Sequence, residues 1–250
     1  MVAGPEAVYP VGGWTGARWS TGLLWFIAFL FSTTVHEVMH AFVAYRGGDP
    51  TAYLGGQVSL SPLPHIRREP IGMLVVPLLT AFTNGWALGW ASTPYDPRWA
   101  ARHPRRAASM AAAGPAGNLL IAAAALGLLR LGIVTKVFVS PDRVNAHHMV
   151  EPASGNALLA GAGELLSVLL VLNVLLFVFN MLPVPPLDGG SALGGVLPQR
   201  FAPALAAVTG NPALSMFGLL IAWQAFPTVA WPIVKALIRL VHPGDLYDFD

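Results

Sequence analysis

Long apolar runs, separated by short turns rich in proline, glycine and charge, organise this chain. The first run extends from Trp19 to Tyr45 and stops at Arg46-Gly47-Gly48-Asp49-Pro50, a helix-ending pattern. About 20 apolar residues cross a bilayer, so this run is expected to span, with Trp14, Trp19 and Trp25 as an interfacial belt. Thr51 to Leu60 contains Gly55 and Gly56 and lies between prolines, which predicts an extended strand or hairpin. Ser61 to Pro70 is a polar loop. Ile71 to Trp90 is apolar but interrupted by Pro77, Thr80, Thr83, Asn84 and Gly85; it either spans or dips in and returns.

After an arginine-bearing loop, Ala91 to Arg106, two further runs read as spans, Ala107 to Leu131 and Glu164 to Leu182. The first is rich in small residues that let helices approach closely. Glu164 is expected to open the second, where a carboxylate complements the helix dipole. Pro183 to Gly195 predicts a turn and then a short helix. Asn211 to Leu240 predicts one more span and an interfacial tail, broken at Pro227 and Pro232. The expected class is an all-α polytopic membrane protein with about four to six membrane-inserted helices and a strand-like or re-entrant element after the first span. A single domain, 1–250, is expected, with a catalytic core over about 22–195 and a C-terminal span and tail over 211–250.

Composition agrees. The 250 residues are 55% hydrophobic and 10% charged, against about 25% charged in soluble domains. There is no cysteine, so a metal would have to be held by His, Asp or Glu. The net charge of +2 is spread over scattered arginines, without the basic block that nucleic-acid binding needs. Met1 to Ala17 has no basic start followed by an apolar core, so the first run is expected to be retained rather than cleaved as a signal.

The chemistry is concentrated in the first run, where His36-Glu37-Val38-Met39-His40 stands among apolar residues. Four-residue spacing puts both imidazoles on one helix face, able to share a metal ion, and Glu37 can reach a water on that metal. Catalytic zinc usually has three protein ligands. The best third candidate is Asp188, in Asn180-Met-Leu-Pro-Val-Pro-Pro-Leu-Asp188-Gly-Gly, directly after an apolar run. A carboxylate there is costly unless paired or metal-bound. The prolines end the helix, and Gly189 and Gly190 are expected to permit an unusual backbone path that turns the carboxylate back.

These motifs resemble the site-2 proteases, intramembrane zinc metalloproteases. H-E-x-x-H spans His36 to His40, a G-P-x-x-N element spans Gly114 to Asn118, and N-x-x-P-x-P-x-x-D-G spans Asn180 to Gly189. The likeness covers roughly Gly22 to Gly195 and is strongest to the compact subgroup without a PDZ domain. The resemblance implies zinc, one per chain, on His36, His40 and Asp188, with Glu37 as general base. It implies that Asn180 orients substrate or stabilises the oxyanion, and that Asn118 lies near the site. Residues 51–60 are expected to hold an unwound substrate as an added strand, with Gly55, Gly56 and Val58 as contacts and His65 as a supporting residue.

The expected activity is therefore metalloendopeptidase cleavage, in or near transmembrane segments of a substrate protein, by an integral, multi-pass protein of the cell membrane. The alternative is a membrane zinc transporter or sensor; a third reading is a silent scaffold that grips helices. Only water activation requires Glu37 between two ligating histidines. His40 and Asp188 meet most easily if their helices run parallel, which needs an odd number of crossings between them. With Ile71 to Trp90 re-entrant, Arg46, Arg67, Arg68, Arg98, Arg102, Arg105, Arg106 and Arg200 share one side, against Arg18, Arg130, Lys136 and Arg143 on the other. That eight-to-four split satisfies the positive-inside rule, whereas a crossing gives six and six. The zinc site is thus expected nearer the cytoplasmic face.

Overall fold

The computed structural model describes residues 16–201 and 211–244. Its helices are α1 (Gly16–Arg46), α2 (Thr51–Leu54), α3 (Leu63–Arg68), α4 (Val76–Asn84), α5 (Pro97–Arg102), α6 (Pro104–Val134), α7 (Ala157–Asn180), α8 (Asp188–Val196) and α9 (Pro212–Val241). A two-stranded antiparallel sheet, β1 (Phe138–Val139) with β2 (Glu151–Pro152), lies between α6 and α7. Among the described residues, four helices, α1, α6, α7 and α9, are long and apolar enough to cross a membrane.

The run from Ile71 to Trp90 folds back on itself. A five-residue π-helical turn, Ile71–Val75, leads into the nine-residue α4. Together they rise about 20 Å, short of the ~30 Å hydrocarbon core. Gly85 then adopts φ +79, a conformation glycine reaches without a Cβ clash, and the chain returns beside the helix. Leu88 N donates to Thr80 Oγ at 2.8 Å and Trp90 N to Gly72 O at 3.1 Å. Start and finish therefore sit at one level. The hairpin packs on α1 with its tip toward the start of that helix and α4 antiparallel to it: a Cβ at Gly22 would lie 2.6 Å from the Phe82 ring near the tip, and one at Gly89, on the return beside Pro77, would lie 2.7 Å from the Phe29 ring.

Small residues allow α6 to lie antiparallel between α1 and α7. A Cβ at Gly117 would meet Met39 Cγ at 2.9 Å. Ser32 touches Asn173 near the middle of both helices, while His36 and His40 meet Asp188 beyond the end of α7. Hence α1 and α7 run parallel. The largest core cluster combines Phe29 of α1, Leu129 of α6, Val168, Leu170 and Val171 of α7, and Val241 of α9.

Several expectations need correction. Thr51 to Leu60 is not a strand: Thr51–Leu54 is one helical turn, and Gly55 and Gly56 continue as a turn, with Gly56 at φ +73. Its hydrogen bonds are local, with Gly55 N to Thr51 O and Gln57 N to Ala52 O, so no ladder forms. Glu164 lies inside α7 rather than at its start. Asn156 caps that helix by accepting from Leu158 N and Leu159 N, and Ala157 to Gly163 is apolar enough to extend the span upstream. Trp25 is 4% exposed and belongs to the core rather than to a belt; Trp19 is exposed, and Trp14 falls outside the described residues. Pro227 and Pro232 sit within α9 without ending it.

Candidate metal centre

The site is built by two facing stripes of residues spaced one turn apart. On α1 the stripe is Ser32, His36 and His40; on α6 it is Asn118, Gly114 and Met110. His36 Nδ1 lies 2.6 Å from Asn118 Oδ1, and His40 Nδ1 lies 2.7 Å from Met110 O. Both imidazoles thereby aim Nε2 the same way, 3.0 Å apart. Gly114 makes room: a Cβ there would lie 2.6 Å from His40 Cε1 and 2.7 Å from His36 Nε2.

Asp188 is the first residue of α8. Its Oδ2 lies 3.1 Å from His36 Nε2 and 3.3 Å from His40 Nε2. Gly189 and Gly190 serve this placement differently from expectation. Both lie within α8 with negative φ, and close approach is what excludes a side chain. A Cβ on Gly189 would strike the main-chain oxygens of Met181 and Leu182, and one on Gly190 would lie 2.9 Å from Pro185 N. Gly195 at the other end of α8 lets it rest against Pro104 at the start of α6.

Among the described residues, His36, His40 and Asp188 form the one group of three metal-ligating side chains close enough to share an ion. The donor set suits zinc. Their mutual distances of 3.0, 3.1 and 3.3 Å approach the ~3.3 Å edge of a tetrahedron with Zn–N bonds of about 2.05 Å. With each Nδ1 already engaged, two buried Nε2 atoms and a carboxylate oxygen converge on one point, an arrangement that calls for positive charge between them.

Residues 24–223 match the sequence profile of Peptidase family M50. The chain belongs to that family, the site-2 proteases. This M50 chain is 34% identical over 173 residues to "Putative zinc metalloprotease YwhC" of Bacillus subtilis, covering 69% of this chain and 68% of that one. It is 32% identical over 164 residues to "Putative zinc metalloprotease Rip2" of Mycolicibacterium smegmatis, with 66% of this chain and 53% of that one aligned. The Mycobacterium tuberculosis Rip2 aligns over the same shares at 32% identity. The chain thus spans about two thirds of YwhC and about half of Rip2. No solved structure matches it. Family and donor set agree on a metalloprotease with zinc as its cofactor.

The remaining predicted residues divide. Glu37 is 4% exposed and faces a cavity of about 920 Å³ that also reaches Trp90, Thr93, Asn180, Asp188 and Trp223. Asn180 ends α7 at this cavity, with its Nδ2 bonded to Leu176 O at 2.9 Å. Asn118 is fully buried against His36. Gly55, Gly56, Val58 and His65 are not among the cavity's lining residues. His65 is buried, with Nε2 3.1 Å from Ser59 O, and stands outside the ligand group.

Residues without a sequence motif complete the M50 site. Thr93, just after the return from the hairpin, contacts Glu37. Asn173 and Ser32 continue the hydrogen bonds behind Asn118. Their one signal in the sequence is polarity within apolar runs, which membrane helices also use for packing.

Proposed function

We propose that this chain is a zinc-dependent intramembrane endopeptidase that hydrolyses peptide bonds in or near transmembrane segments of substrate proteins. The observation that carries the reading is Glu37, buried beside His36 and His40 on a helix capable of spanning, and facing a cavity shared with Asp188. His36, His40 and Asp188 would hold zinc, which would supply a Lewis acid for the scissile carbonyl and for the attacking water. Glu37 takes the proton of the attacking water and returns it to the leaving amine. Thr93 holds the carboxylate in place. Asn180, with one amide hydrogen spent on Leu176 O, has another for the developing oxyanion.

A helical substrate must unwind, because a helix encloses its own carbonyls. The run 85–96 is a better partner for the unwound segment than 51–60. It carries no regular secondary structure, and Leu88 to Thr93 line the cavity. An added strand is held by main-chain hydrogen bonds, and this run brings them directly past Glu37.

The re-entrant hairpin supports a cell-membrane orientation with the zinc site nearer the cytoplasm. It puts Arg46, Arg67, Arg68, Arg98, Arg102, Arg105, Arg106 and Arg200 on one side. Lys235 and Arg239, near the far end of α9, join the other four, and the split of eight to six still favours that side.

The deciding experiment measures zinc content and cleavage of a panel of single-span substrates by the parent and by Glu37→Gln. The variant is expected to keep zinc and lose cleavage by about 10²–10⁴-fold. Equal cleavage by both would overturn the assignment of the base. Zinc in both with no cleavage of any substrate by the parent would favour a transporter or sensor.

A further inference from the structure

The two histidines have their ligating nitrogens prepared in different ways. His40 Nδ1 faces a main-chain oxygen, that of Met110 at 2.7 Å. A carbonyl only accepts, so Nδ1 carries the proton and Nε2 keeps its lone pair. His36 Nδ1 instead faces a side-chain amide, Asn118, at 2.6 Å. An amide can present either end. Were its nitrogen turned to His36, Nδ1 would accept, the proton would move to Nε2, and that nitrogen could not bind a cation.

The amide's orientation is set one helix further away. Asn173 on α7 has its Nδ2 2.9 Å from Leu169 O, which can only accept, and 2.8 Å from Ser32 Oγ. The nitrogen end of Asn173 is therefore committed, and its Oδ1 is left facing Asn118 Nδ2 at 2.8 Å. That oxygen demands a donor. Ser32 O, 3.5 Å from the same nitrogen, demands the same. Asn118 must then turn Oδ1 toward His36, and His36 Nδ1 must donate. Ser32, Asn118 and Asn173 are each 0% exposed, so no water can substitute for a wrongly turned group.

We propose that Asn173 is a positioning residue that acts through Asn118 to hold His36 in the tautomer with a bare Nε2. It ties metal affinity on α1 to a hydrogen bond whose polarity originates in the backbone of α7. The inference rests on the zinc site described above. Outer-shell partners of a ligating histidine are worth about 10–100-fold in metal affinity.

The test is zinc affinity of the purified full chain in detergent, by chelator competition, in a double-mutant cycle. Asn173→Leu is expected to weaken zinc by about 10–100-fold, and Asn173→Ala serves if the leucine variant does not fold. In an Asn118→Asp background, the same Asn173 substitution is expected to cost nothing further. A carboxylate accepts from His36 whichever way it turns, so it has no polarity to be set. Parent-like affinity in Asn173→Leu overturns the proposal, and so does an equal loss in both backgrounds, which would mean packing alone. A parent chain that binds no zinc would instead sink the metal site itself.

Discussion

Thr93 Oγ lies 2.7 Å from Glu37 Oε2 and 3.0 Å from the main-chain oxygen of the same residue. Its single hydrogen can serve either acceptor, so the hydroxyl ties the Glu37 carboxylate to its own main chain and limits its rotation. Thr93→Val keeps the shape and removes the donor. A hydrogen bond to a charged group is worth about 1.5–3 kcal/mol, so kcat should fall at least about tenfold, with KM and zinc content near those of the parent. Thr93→Ser should retain most of the rate. A change in KM alone would make Thr93 a substrate contact rather than a support for Glu37.

Gly114 faces the two imidazoles, so its missing side chain is part of the site. Gly114→Ala should displace both rings and abolish zinc binding, because a Cβ there would lie 2.6 and 2.7 Å from ring atoms. Gly127→Ala, in the same helix but with nothing within 4 Å of the added carbon, is the control. It should bind zinc normally and be slightly more stable, since alanine favours helix by about 1 kcal/mol over glycine. Zinc analysis with thermal unfolding of both variants separates loss of the site from loss of the fold.

The spans were legible because crossing a bilayer demands a length of apolar chain that few other structures need. His36, His40, Asp188 and Glu37 stood out because ionisable side chains are costly among apolar neighbours unless they share a metal or a partner, and the four-residue spacing of the histidines suits a shared metal ion. Thr93 and Asn173 did not. Each meets its partner only in the fold: Thr93 is 56 positions from Glu37, and Asn173 is 55 from Asn118. Residues 51–60 misled because glycines between prolines signal a turn as readily as a strand. A run without regular secondary structure lies instead at 85–96, and its first part, up to Trp90, was concealed within an apolar candidate span.

The hairpin return predicts a labelling pattern. The chain has no native cysteine, so single cysteines report cleanly. Ser61→Cys before the hairpin and Tyr95→Cys after it should react with an impermeant maleimide from the same side of sealed vesicles. Thr135→Cys, exposed beyond the end of α6, should react from the opposite side. Labelling of Ser61→Cys and Tyr95→Cys from opposite faces would mean that Ile71 to Trp90 crosses, and the parallel arrangement of α1 and α7 would then fail.

Asp49 joins the end of α1 to the segment that carries Thr93. It is 1% exposed; its Oδ2 accepts from Asp96 N at 2.8 Å and its Oδ1 from Thr51 N at 3.0 Å. Burial pushes its carboxyl up, but the Thr51 hydroxyl and the amides of Thr51 and Asp96 outweigh this and leave it below the usual carboxylate value. A carboxylate whose folded pKa is depressed contributes stability that is complete above the unfolded value of about 3.9 and disappears as pH falls through the folded value. Asp49→Asn should therefore lower thermal stability at pH 7, where hydrogen bonds to the charged group are worth about 1.5–3 kcal/mol. The gap between parent and variant should shrink as pH is lowered past about 4. Cleavage should also fall in the variant at neutral pH, because Asp96 then anchors the 91–96 run less firmly and Thr93 is less well held against Glu37. A gap that stays constant from pH 7 to pH 3 would show that Asp49 acts through shape rather than charge.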